Sequence, residues 1–159
     1  MIFHVSIAAD EPQRTARFIA ELWGGKAYPF PPVAKGSWVA TAGDDRNSTV
    51  EVYPRGTELH LAGEESQVLD RSAAPVRNGP FHAAIATDLS IDEVETLAER
   101  EGIVARVCQR APFRVIEVWL DGCQMIEVLT PEMQREYLVN ATAAKLEAMF
   151  GAGPPLQPA

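Results

Sequence analysis

The sequence predicts an α+β fold in which two βαβββ units pair into a partly closed mixed sheet around a cavity. Three observations point there. A short apolar run carrying a histidine, FHVSIA around His4, returns as FHAAIA around His82. A run carrying a glutamate, TVEVYP around Glu51, returns as MIEVLTP around Glu127. The spacings match, with Glu51 47 positions after His4 and Glu127 45 positions after His82. Each unit alone would leave a half-covered sheet with exposed edges, so the two must pair to close a core.

The elements follow in order. Residues 2–8 are a β-rich run, and Asp10 with Gln13 resembles a capping box opening a helix. Thr15, Phe18, Ile19, Leu22 and Trp23 recur at helical spacing until Gly24-Gly25 stops them. Strands are expected near 26–30, 37–42 and 48–54, punctuated by Pro31-Pro32 and by GDDRNS. A linker over 55–79, rich in Gly, Glu, Ser, Asn and Pro, has no sustained periodicity and contains His60. The order then repeats. A strand at 81–87 leads to a Ser90/Glu93 capping box and to a helix with Ile91, Val94 and Leu97 on its apolar stripe before Gly102. Strands near 103–109, 114–120 and 123–129 complete the unit, with Asp121-Gly122 as a tight hairpin turn. A final amphipathic helix over 131–150 uses Met133, Tyr137, Leu138, Leu146, Met149 and Phe150, and 151–159 form a flexible tail. The expected organisation is thus one domain over 1–130, with units at 1–54 and 80–130, followed by the helix and tail.

Composition narrows the partners. The chain has 159 residues, long enough to bury a real interior. Its net charge of −8 argues against nucleic acid or an anionic membrane, both of which need a basic face. No apolar stretch approaches the roughly 20 residues that span a bilayer. The start, MIFHVSIAADEP, has no basic region before its apolar run, so it reads as the first strand of a cytoplasmic protein rather than a signal peptide. Cys108 and Cys123 form no CxxC pair and are expected to be reduced and structural.

Alternation along the strands decides which side chains share a face. His4 goes with Ser6 and Ala8, opposite Phe3, Val5 and Ile7; His82 goes with Ala84 and Ala86, opposite Phe81 and Ile85. Glu51 goes with Thr49 and Tyr53, and Glu127 with Cys123 and Met125. All four fall opposite the large apolar residues that belong under a helix. Two imidazoles and two carboxylates suit a borderline or hard divalent ion and leave coordination positions open for chemistry. The expected cavity is therefore metal-binding, with one divalent ion (Zn, Ni, Co, Mn or Fe) on His4, Glu51, His82 and Glu127.

These runs, in paired βαβββ units over about residues 1–130, resemble the vicinal-oxygen-chelate superfamily, which includes glyoxalase I, bleomycin-resistance proteins and extradiol dioxygenases. In that family the ligands come from the first and last strands of each unit, here His4, Glu51, His82 and Glu127. The resemblance implies a homodimer acting on a small-molecule substrate. Extradiol dioxygenases and fosfomycin-resistance enzymes generally use two His and one Glu, whereas the glyoxalase I type adds a carboxylate. Glu51 therefore tilts the expectation to a glyoxalase-like isomerase or lyase working by metal-assisted proton transfer, with Glu127 as the displaceable base. Ala8 stands where glyoxalase I carries an arginine for glutathione, which argues against glutathione conjugates.

Two other functions fit the same runs. An extradiol-type dioxygenase would use His4, His82 and Glu127 with iron, and a non-catalytic bleomycin-resistance-like module would sequester a small molecule without metal. Tyr53, on the Glu51 face, is expected to meet substrate. Glu117, in VIEVW, goes with Val115 and Trp119 and is expected to serve solvent or an interface. His60 is expected at the surface, and Arg14 and Arg17 on a solvated helix face. HExxH, GxSxG, phosphate-loop and dinucleotide motifs are absent.

Overall fold

A computed structural model of the chain describes residues 4–30, 34–62, 65–69, 74–110, 112–142, 144–145 and 148, without the side chains of 60–62 and 65–69. The first unit runs β1 (His4–Ala9), α1 (Pro12–Leu22), β2 (Lys26–Pro29), β3 (Trp38–Thr41) and β4 (Thr49–Pro54). Then come two short strands, β5 (Glu58–Ala62) and β6 (Glu65–Leu69). The second unit runs β7 (Ala84–Ala86), α2 (Ile91–Arg100), β8 (Val104–Arg110), β9 (Phe113–Leu120) and β10 (Gln124–Leu129), followed by α3 (Pro131–Asn140). The two main sheets have the same order, β1-β4-β3-β2 and β7-β10-β9-β8, each with its first strand on the edge and parallel to its last. The fold is α+β, with two open four-stranded mixed sheets.

The apolar halves of the alternation build the core. Val50, Val52, Ile126 and Val128 are buried, as are Phe18, Ile19 and Leu22 on the inner face of α1 and Val94 and Leu97 on α2. Burying each such side chain contributes about 1.5–3 kcal/mol. Both first-unit and second-unit helices stop the same way. Gly24 (φ 61°) and Gly102 (φ 62°) take the left-handed conformation, and the next amide donates back to the Ala20 or Ala98 carbonyl. At that next position the units differ. Ile103 has room, but a Cβ on Gly25 would lie 1.9 Å from the Thr41 carbonyl oxygen, so only glycine lets the β3 end approach.

Several expectations need correction. α1 is capped at Glu11 with no side-chain bond, because Asp10 is spent on tertiary contacts. The Ser90/Glu93 capping box is present in full. The expected linker contains the antiparallel β5–β6 hairpin, in register from Glu58–Leu69 to Ala62–Glu65. The strand expected over 81–87 is only Ala84–Ala86. α3 buries Met133, but Leu138 is 74% exposed, and Leu146, Met149, Phe150 and 151–159 lie outside the described residues. Asp121 and Gly122 both take positive φ in the β9–β10 turn, as the hairpin signal predicts.

The units are tied together by charge as well as by packing. Arg55, whose side chain is 6% exposed, donates to Asp10 (2.6 Å) and to Asp121 (2.7 Å). The Asp10 amide donates to the same Asp121 carboxylate (2.7 Å), and Arg77 reaches Asp10 (2.8 Å). The Arg77 hydrogen bond and, against opposing burial, the Arg55 guanidinium hold the Asp10 carboxyl below its usual range. Between the helices, Arg100 pairs with Glu21 (2.6 Å). Thr87 also donates to the Leu22 carbonyl across the seam.

Candidate functional site

The histidine–glutamate pair recurs at the same sequence offset in both sheets, with His4 on β1 and His82 two residues ahead of β7. On β1–β4, Ser6 lies opposite Glu51, two residues beyond His4. On β7–β10, Ala84 lies opposite Glu127, two residues beyond His82. Glu51 therefore sits one strand across and two residues along from His4, and Glu127 is offset by the same two residues from His82, which lies just ahead of β7. This offset puts the two Cα atoms on the order of 8 Å apart, within reach of long side chains. The parallel pairing fixes it, since a one-residue slip would drive Glu51 or Glu127 into the core.

Three of the four groups, Glu51, His82 and Glu127, have a partner on one side and an unused atom on the other. Ser6 Oγ (3.0 Å) and the Tyr53 hydroxyl both donate to Glu51 Oε2, leaving Oε1 uncommitted among the described contacts. His82 Nδ1 lies 3.1 Å from the Pro80 carbonyl oxygen. A carbonyl only accepts, so Nδ1 carries the proton and Nε2 presents its lone pair. Glu127, 9% exposed, meets Arg110 Nε through Oε1 at 3.5 Å, the outer limit of a hydrogen bond. His4 is exposed at the start of β1.

The four do not converge within one chain. His4 and His82 line the same cleft of about 690 Å³, between the edges β1 and β7, with Trp23, Asp44, Phe81 and Asp88. Glu51 and Glu127 are outside its lining. Among the described residues, no three His, Cys, Asp or Glu side chains come together to hold a metal ion. A second cleft of about 490 Å³, lined by Arg14, Arg17 and Trp38 beside α1, contains none of the four.

The other singled-out side chains fall as follows. Tyr53 is buried, with its hydroxyl on Glu51. Burial, followed by that hydrogen bond, raises its pKa above the usual phenol value. Glu117 is not a solvent residue: it lies directly opposite Glu127 on β9 and β10, so the two share a face. Arg110 pairs with Glu117 Oε1, and the Trp119 indole N–H donates to Oε2 (3.1 Å). Burial works against ionisation, but the Trp119 hydrogen bond and the Arg110 charge hold the Glu117 carboxyl below its usual range. Arg17 is exposed, as expected, and lies over the Trp38 ring at 5.6 Å. The His60 side chain is outside the described residues. Arg110 had no sequence signal: it becomes legible only once the β8–β9–β10 register places it near two carboxylates.

Cys108 and Cys123 are unpaired thiols. Among the described residues no helix is long and apolar enough to cross a membrane.

No protein-family model matches the chain, and no curated protein matches it in sequence. Solved structures do match it in fold. It has the paired-βαβββ architecture of the vicinal-oxygen-chelate proteins. The fosfomycin resistance protein FosX from Mesorhizobium loti superimposes with a TM-score of 0.53 at 15% identity, covering 85% of this chain and 95% of that one. The trypanothione-dependent glyoxalase I of Leishmania major gives 0.53 at 13% identity, covering 96% and 99%. A lactoylglutathione lyase from Agrobacterium tumefaciens gives 0.51 at 13% identity, covering 80% and 91%. At these identities the likeness carries the fold and leaves the chemistry to the residues.

Proposed function

We propose that this chain is a glyoxalase-like, divalent-metal-dependent isomerase or lyase that works on a small oxygenated substrate in the cytoplasm as a homodimer. The observation that carries the reading is the repeated histidine–glutamate offset on β1–β4 and on β7–β10. Among the described residues no three of these side chains come together within a chain, which supports a metal site completed between copies. His4 and Glu51 of one copy meet His82 and Glu127 of a second, as the two-fold symmetry of a homodimer allows. The donor set fits a Zn, Ni, Co, Mn or Fe ion: Glu51 Oε1 and His82 Nε2 are the unused atoms of groups whose other sides are already oriented.

A bound divalent ion would polarise a substrate oxygen and ease loss of a neighbouring proton. Glu127 moves that proton. Its one described side-chain contact is the long one to Arg110, so it can swing, whereas Glu51 takes two hydroxyl donors on one oxygen and is held. Tyr53 serves this site by orienting Glu51.

The deciding experiment is metal analysis of untagged protein beside a His82→Ala variant. The reading expects about one tightly bound divalent ion per chain, lost in the variant. Protein that stays empty and refuses added metal would overturn it in favour of a non-catalytic binding module. Iron with catechol-dependent oxygen uptake would point to a dioxygenase instead.

A further inference from the structure

Arg110 closes β8, and its guanidinium turns back over β9 and β10 to two carboxylates. The two contacts are unequal. Glu117 is fully committed, with Arg110 on one oxygen and the Trp119 N–H on the other. The contact with Glu127 is 3.5 Å and falls on Nε alone. A guanidinium has five N–H donors in a planar fork suited to a carboxylate, and these contacts use two. Its side chain is 40% exposed, while those of Glu117 and Glu127 are each 12% exposed. Donors therefore remain for a group arriving from outside. Arg106, exposed and directly opposite Glu117, adds a second positive charge on the same face. With Arg106 and Arg110 set against Glu117 and Glu127, this face is balanced in a chain of net charge −8 and repels an anion less than the chain at large.

We propose that Arg110, oriented by Glu117, binds an anionic group of the ligand beside Glu127, so that the site takes a small carboxylate. The inference rests on the proposed site in that it places the ligand at Glu127. Arg110 surrenders its long contact with Glu127 as that carboxylate is engaged elsewhere, and its freed N–H groups take the ligand's carboxylate. Glu117 is a positioning residue: it keeps the guanidinium aimed and supplies its counter-charge.

The test compares oxamate with oxamide, probes of nearly equal shape that differ by one negative charge, by calorimetry on metal-free and manganese-loaded protein. Wild type is expected to prefer oxamate by about tenfold or more, the worth of one charge-assisted pair. In metal-free protein Arg110→Met should abolish the preference, with a lower thermal midpoint because Glu117 and Glu127 lose their counter-charge. Arg110→Lys should keep part of it, and Glu117→Gln should lower it, a ratio that general destabilisation would not change. An unchanged preference in Arg110→Met, or oxamate bound no better than oxamide in both forms of wild type, overturns the inference. Manganese that fails to bind while Arg110-dependent oxamate binding persists would sink the metal reading and leave the anion site standing.

Discussion

Mixing two inactive variants tests the two-copy site more sharply than removing any ligand. His4→Ala breaks one half-site of each chain and His82→Ala breaks the other. Every chain of a variant lacks the same histidine, so a dimer of either variant has no complete set of four. A mixed dimer does have one: the His82→Ala chain contributes His4 and Glu51, the His4→Ala chain contributes His82 and Glu127, and the opposite site lacks both histidines. Random reassortment makes about half of the dimers mixed, and each has one intact site of two, so about a quarter of wild-type metal content should return. The assay is to co-refold equal amounts of the two variants, remove loose metal and measure tightly bound manganese per chain, with native mass spectrometry to count mixed dimers. No recovery despite abundant mixed dimers would refute a site shared between copies. Full metal retention in either parent would refute the ligand assignment itself.

The fold makes its own predictions. Gly25→Ala places a methyl 1.9 Å from the Thr41 carbonyl oxygen, and since backbone must move, a loss of about 1–3 kcal/mol or more is expected in urea unfolding. Ser90→Ala removes a reciprocal cap and should cost about 1 kcal/mol, whereas Gln13→Ala, in a box that does not form, should cost far less. Tyr53 has a raised pKa in the folded state, so its protonated form is favoured there. Its contribution to stability is complete below the ordinary phenol value of 10.0 and declines as pH rises towards and through the folded pKa. Tyr53→Phe should flatten that alkaline loss in pH-dependent melting, and an unchanged slope would refute the assignment.

Much of the fold is legible in the sequence because the core obeys strict alternation. Val50 and Val52 around Glu51, and Ile126 and Val128 around Glu127, announce strands with one buried face. The Ser90/Glu93 box is legible because both of its bonds are local. Asp10 misleads for the opposite reason: nothing nearby in sequence shows that Arg55, Arg77 and the Asp121 turn will claim its carboxylate and its amide. The β5–β6 hairpin is hidden because the Gly, Glu and Ser that follow TELHLA break its alternation. At the candidate site, parity places each glutamate on its face, but the partnership of Glu117, Arg110 and Glu127 needs the strand register as well. Spacing along one chain also cannot say whether paired ligands meet within it or between two copies.

The Arg55 link has a consequence for how the protein is made. One of its counter-ions, Asp10, belongs to the first unit, but the other, Asp121, lies 66 residues further along the chain. A ribosome that has released only the first unit and Arg55 just after it has produced a guanidinium destined for burial with half of its charge partners still unsynthesised. The first unit can form its helix and strands at that stage, yet it cannot seat Arg55 until the last hairpin of the second unit arrives. Final locking of the amino-terminal half therefore waits on nearly the whole chain, and a nascent protein stalled before Asp121 should remain open to proteases at the residues around Arg55.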